Sequence, residues 1–178
     1  MGGTVVTPPK PITFETTDID DTYVASCYPS MNYGALSSMN VDGEGDGIDS
    51  CTYQILIMAP LSSVPAGALV SEATLTLTCT NAGDPITVSY VNETWKELTV
   101  RYNTRPEIGA SLGTITCAQP GEEVTINLTS AVKAWLAGDH AAYGIYLRSD
   151  DSDGTDFDTS EAHTTSTRPA FRVTYTLP

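Results

Sequence analysis

Tyr102, Asn103 and Arg105 put an aromatic ring, a planar amide and a guanidinium within four positions of one another, and Tyr146 and Arg148 repeat the ring and the guanidinium two residues apart. A ring that stacks on a pyranose, flanked by planar groups that hydrogen-bond in pairs, is the chemistry that reading sugar hydroxyls needs. Each residue also has a plainer use. Tyr102 can pack beneath Trp95, and Arg105, like Arg168, precedes a proline and can pair with loop carboxylates.

A second chemistry is written in carboxylates. Asp150, Asp151 and Asp153 lead a run that continues through Asp156 and Asp158 around Gly154, and several oxygens on one loop can chelate calcium or simply solvate it. Residues 42–49, DGEGDGID, carry acids at relative positions 1, 3 and 5 and glycine at 6, as an EF-hand loop does. Tyr53 stands where the bidentate glutamate belongs and no helix is expected on either side, so an acidic hairpin tip is the plainer reading. Asp18, Asp20 and Asp21 offer a third place, either a solvated turn or a calcium site near the start of the domain. Calcium in any of them would be structural.

Catalysis is not expected. An acid and a base need an environment that drives two carboxyl pKa values apart, and most of these acids fall among glycine and serine in stretches that should be wet. His140 and His163 lie in different loops, and the chain has no Gly-x-Ser-x-Gly elbow, no HExxH and no phosphate-binding glycine loop before a helix. No cofactor is required by anything in the sequence.

The elements that position these residues should be strands. Of 178 residues 40% are hydrophobic and only 17% charged, with abundant Thr, Ser and Gly, which fits a single all-β domain with many turns. Alternation predicts strands over residues 12–16, 73–80, 86–91, 112–117, 124–128, 143–148 and 170–177, with a run at 52–58 that is apolar on both faces, for nine or ten strands in all. Residues 99–103 read as extended until Pro106 stops them. One short helix is expected over 129–137, capped by Thr129 or Ser130 and closed by Gly138, with Trp135 in the core. Residues 1–15 read as an extended, proline-rich arm ahead of a domain at 16–178.

Eight Lys and Arg against 22 Asp and Glu leave a net charge of −14. Such a surface repels nucleic acid, anionic membranes and polyanionic glycans such as alginate. No apolar run reaches the roughly 18 residues that mark a membrane span, and the first residues lack the basic start and apolar centre of a signal peptide, so neither membrane insertion nor export is expected. Cys27, Cys51, Cys79 and Cys117 allow three pairings and show no CxxC spacing; in a cytoplasmically made protein they read as small buried thiols.

Trp95-x-Glu97-x-Thr99-Val100-x-Tyr102-Asn103-x-Arg105-Pro106-x-x-Gly109 resembles the signature of the DNRLRE domains, a group that overlaps carbohydrate-binding module family 96. The likeness continues in order through Asp21 to Val24, Asn32-Tyr33-Gly34, Ala73-Thr74-Leu75, Val132-x-x-Trp135-x-x-Gly138, Tyr143-Gly144-Ile145, Ser160-Glu161 and Arg168-Pro169-Ala170-Phe171. It covers roughly residues 17–177. The resemblance implies a jelly-roll-like antiparallel β-sandwich and a display module, some of whose relatives bind alginate.

Two functions fit these readings. One is a structural component of a larger assembly, such as a virion decoration, fibre or tail protein, attached to other structural proteins through Val5, Val6, Pro8 and Pro9 of the arm and displayed on a virion or extracellular surface. The other is a carbohydrate-binding module for a neutral polysaccharide, with Tyr102, Asn103, Arg105, Tyr146 and Arg148 as its contacts and calcium at Asp150, Asp151 and Asp153 as a structural ion. A homo-oligomer is compatible with either.

Overall fold

Alternation builds the spine of the molecule. In β5 (Leu69–Asn81) Ala73, Leu75, Leu77 and Cys79 are buried while the threonines between them turn outward, as a sheet with one dry face requires. The computed structural model describes residues 9–43 and 50–178, in which eleven strands form two antiparallel sheets. The first sheet runs β1 (Ile12–Thr16), β11 (Ala170–Thr176), β5, β10 (Thr155–Asp158), β3 (Ser38–Val41), and β8 (Glu123–Asn127) also pairs with β5. The second runs β2 (Asp20–Ala25), β4 (Tyr53–Met58), β9 (Ile145–Arg148), β6 (Ile86–Val91), β7 (Ile108–Ile115). From β1 to β6 the chain crosses between sheets at every step, the habit of a jelly roll.

The main core lies between the sheets, where Ile55, Ile57, Ile145, Leu147 and Val88 meet Leu75, Leu77, Phe157, Phe171 and Val173. Helix α1 (Thr129–Ala137) packs on β5 with Ala131 and Val132 buried, and half-buried Trp135 joins the core edge-on to Tyr90. Gly138 closes the helix at φ +79°, as expected. Neither Thr129 nor Ser130 caps its start: Leu128 holds the cap position, Asn127 Oδ1 accepts from the N–H of Thr129 at 3.0 Å, and the Thr129 hydroxyl accepts from the N–H of Ala73 at 3.0 Å, docking the helix on β5.

A second, smaller core lies on the outer face of the second sheet. Val24, Leu56, Val91 and Tyr146 there are covered by Trp95 and Val100, because residues 92–107 fold back over the sheet on their way from β6 to β7. The expected extended run at 99–103 is therefore wrong. The N–H groups of Thr99 and Val100 both bond to the Lys96 carbonyl, and Tyr102–Thr104 form a 3-10 turn, since only a folded segment buries Trp95 and Val100 side by side.

Other expectations also shift. Ile12–Thr16 pairs along its whole length with β11, so residues 12–15 belong to the sandwich rather than to an arm. Val5, Val6 and Pro8 lie outside the described residues, as do positions 44–49 of the acidic 42–49 loop; Pro9 is exposed. The second acidic run is half strand, because Asp156 and Asp158 sit in β10 between β3 and β5. The cysteines are not thiols: Cys27 bonds to Cys51 and Cys79 to Cys117, with Cα atoms 5.3 and 6.4 Å apart. Among the described residues no helix is long and apolar enough to cross a membrane.

Candidate functional site

Gln54 is the one polar side chain in the apolar strand YQILIM, and it points to the outer face of β4. Beneath it lies Tyr146, fully buried, whose hydroxyl donates to Gln54 Oε1 at 2.6 Å. Burial raises the Tyr146 pKa, so this hydroxyl stays protonated and keeps donating. The Gln54 amide is thereby fixed, with its Nε2 hydrogens free of other protein partners among the described residues. Tyr146 itself offers no face to a sugar, which corrects its expected role: it is the floor.

Above this floor is a groove of about 330 Å³, lined by Gly43, Thr52, Gln54, Tyr102, Arg148, Ser149 and Asp150. Tyr102 and Arg148 thus come together as the sequence led us to expect. Arg105 stands behind them, its guanidinium 3.8 Å from the Tyr102 ring centroid and its Nη1 donating to the Tyr102 carbonyl at 2.7 Å. It covers one face of the ring and, among the described residues, pairs with no carboxylate. Asn103 is exposed away from the groove lining, and its N–H ties the 3-10 turn to the Pro29 carbonyl at 3.1 Å. That bond ties the loop after β2 to the 3-10 turn, and on that loop Tyr28 is 56% exposed. Thr52 and Gln54 of the groove lining were missed by sequence reasoning; a lone polar residue in an apolar strand was the available signal for Gln54.

The loop acids do not gather as expected. Asp150 pairs with Arg148, at 3.3 Å from Nε, and most of its side chain is exposed. Asp151 contributes its carbonyl to the N–H of Gly43, and the N–H of Asp153 donates to Asp84 at 3.0 Å. Among the described residues, the acids that bring one oxygen each within 4.8 Å of one another are Asp21, Glu97 and Glu161.

Those three come from distant elements. Asp21 lies in β2, Glu97 on the segment that folds over the second sheet, and Glu161 just after β10. The Asp21 N–H donates to Glu97 Oε1 at 2.9 Å, the Ser160 N–H to Asp21 Oδ2 at 2.9 Å, and the Ser160 hydroxyl to Glu161 Oε1 at 2.8 Å. Asp21 is 0% exposed, and burial with Glu161 and Glu97 nearby pushes its carboxyl up to about 8 against the pull of the Ser160 N–H. Burial also raises Glu97. Arg168 lines the adjoining pocket but spends its Nε on the Ala162 carbonyl at 2.9 Å and pairs with no acid among the described residues. Glu97 and Glu161 were legible only as acids inside structured motifs, away from the glycine-rich loops where calcium seemed at home.

The molecule is thus a β-sandwich with a polar groove on one sheet and, among different residues, an ordered acidic cluster. Residues 12–175 match the model of carbohydrate-binding module family 96. The chain belongs to that family. The match begins and ends inside β1 and β11, so the whole sandwich is the family 96 module. Carbohydrate-binding module families are generally non-catalytic. No curated protein matches the sequence.

Proposed function

We propose that this family 96 module is non-catalytic and binds a neutral polysaccharide in the groove over β4 and β9. The observation that carries the reading is the Tyr146 to Gln54 hydrogen bond, which holds a planar amide beside Thr52, Tyr102 and Arg148 on the groove wall. A preset amide spends little entropy on binding, and a guanidinium already partnered by Asp150 can still donate to sugar hydroxyls. Tyr28, on the loop tied to the 3-10 turn, supplies an exposed ring for stacking. With Arg148 engaged and a net charge of −14, an uncharged glycan is favoured over alginate. Two disulfides fit an extracellular setting. Carried on a virion or another outward-facing particle through the proline-rich leader, the same groove would hold that particle to a glycan-coated surface.

Affinity electrophoresis through gels containing mannan, xylan, mixed-linkage β-glucan or alginate tests this. Retardation by a neutral polymer, lost in Gln54→Ala and Arg148→Ala, is the expected result. Retardation by alginate alone, or by none of the four, overturns the neutral-glycan reading; retardation unchanged in both variants moves binding away from the groove.

A further inference from the structure

The cluster of Asp21, Glu97 and Glu161 sets a buried acid against two half-buried ones. Three carboxyl groups share one place, and among the described residues no Lys or Arg nitrogen lies within 4.0 Å of any of them. Clustered acids alone are common, but here a second fact points inward. Asp21 is wholly enclosed, and among the described residues its Oδ1 has no hydrogen-bond partner; nor has Glu161 Oε2, also shut off from solvent. Buried carboxylate oxygens without partners cost far more than a lost surface contact, so something positive is missing from the balance.

We propose that Asp21, Glu97 and Glu161 form a binding site for a hard divalent cation, calcium in the first instance. The donors are carboxylate oxygens with no His or Cys among them, the set that favours calcium or magnesium over zinc and copper. Oxygens within 4.8 Å of one another suit a shared ion, since calcium takes its ligands at roughly 2.3–2.6 Å and two opposed ligands stand about twice that apart. Hydrogen bonds from Asp21 N–H, Ser160 N–H and the Ser160 hydroxyl already fix the other carboxylate oxygens, so the ligands are oriented before the ion arrives. The adjoining pocket of about 290 Å³, which Glu97 and Glu161 line, leaves room for the waters that complete six to eight ligands. An ion there ties β2, the segment carrying Trp95 and the turn after β10 into one unit. The site lies apart from Asp150, Asp151 and Asp153.

The test uses the full chain, stripped with EDTA and dialysed free of chelator. Thermal unfolding is followed while calcium chloride or magnesium chloride is added, beside Glu161→Gln, Asp21→Asn and an Asp150→Asn/Asp153→Asn double variant. At a hundred times its Kd, calcium should raise Tm by about 5–10 °C. The double variant should keep that shift and the two cluster variants should lose it. Asp21→Asn, which puts a neutral side chain of the same shape where an ion-free Asp21 holds its proton, should unfold no earlier than the stripped wild type, so loss of the shift is not loss of the fold. A shift with magnesium but not calcium keeps the site and changes the ion. No shift with either ion at 10 mM, or a shift that survives Glu161→Gln, overturns the proposal and leaves a proton shared among the three carboxyls as the neutralising agent.

Discussion

The side-chain amide of Asn32 donates to the carbonyl of Glu97 at 2.7 Å and to that of Val100 at the same distance. Two motifs far apart in sequence, Asn32-Tyr33-Gly34 and the Trp95 segment, are therefore one structural unit. Gly34 completes it, because a Cβ there would strike the Glu97 backbone. Asn32→Ala leaves two carbonyls without a donor and should lower stability by about 2–3 kcal/mol in urea titrations. Asn32→Asp should cost more, since it turns an acceptor towards two acceptors. Equal stability of the two variants would show that the amide hydrogens do not hold the segment.

Tyr146→Phe removes one hydroxyl from a fully buried ring and leaves Gln54 Oε1 without its donor. Stability should fall by about 1–2 kcal/mol. Affinity for the retarding polysaccharide should fall as well, although Tyr146 never reaches solvent, because Gln54 is released from its fixed orientation. Binding unchanged beside reduced stability would assign the hydroxyl to the fold alone.

The two disulfides should differ in access. Cys27 is exposed, whereas Cys79 and Cys117 are both buried. Under limited reduction, trapped thiols read by mass spectrometry should appear first at Cys27 and Cys51. Replacing Cys79 and Cys117 together by alanine opens a link across 38 residues and should cost about 3–4 kcal/mol on loop entropy.

In the presence of chelator, Asp21 sets a pH dependence of definite sign. Its carboxyl is raised from 3.8 to about 8 in the folded chain, so the native state binds the extra proton between those values. The stabilisation this gives is fully present below about pH 4 and is lost as the pH rises through about 8. Wild type should therefore lose stability relative to Asp21→Asn from pH 5 to pH 8 in denaturant titrations. A difference that stays flat across that range would place the Asp21 carboxyl near its ordinary value.

Much of this architecture could be read from alternation. The pattern of β5, β6 and β8 and the bounds of the one helix follow from where apolar residues recur, and that information is local. The failures are equally physical. Residues 99–103 have β-like composition, yet their conformation is decided by Asn32 and by the outer face of a sheet formed elsewhere. β3 and β10 are four-residue strands, SMNV and TDFD, too short for a period to show, and in TDFD the acids mask the buried Phe157. Of the residues expected to contact sugar, Tyr102 and Arg148 meet in the groove, while Tyr146 is buried because a strand covered on both faces hides its rings on either side. The acidic cluster needed three segments brought together in space, which spacing along a chain cannot express.

The pairing of Ile12 with Tyr175 places both ends of the sandwich at one pole. There β11 runs beside the start of β5, with Thr176 opposite Leu69, while Asn81 at the far end of β5 meets Asp156, next to the acidic turn that neighbours Gly43 and the groove. A strand of 13 residues spans about 40 Å, so the two regions are separated by most of the molecule's length. Any polypeptide joined before β1 or after β11 would start from this base, like a stalk under a cup, at the end of β5 opposite the groove.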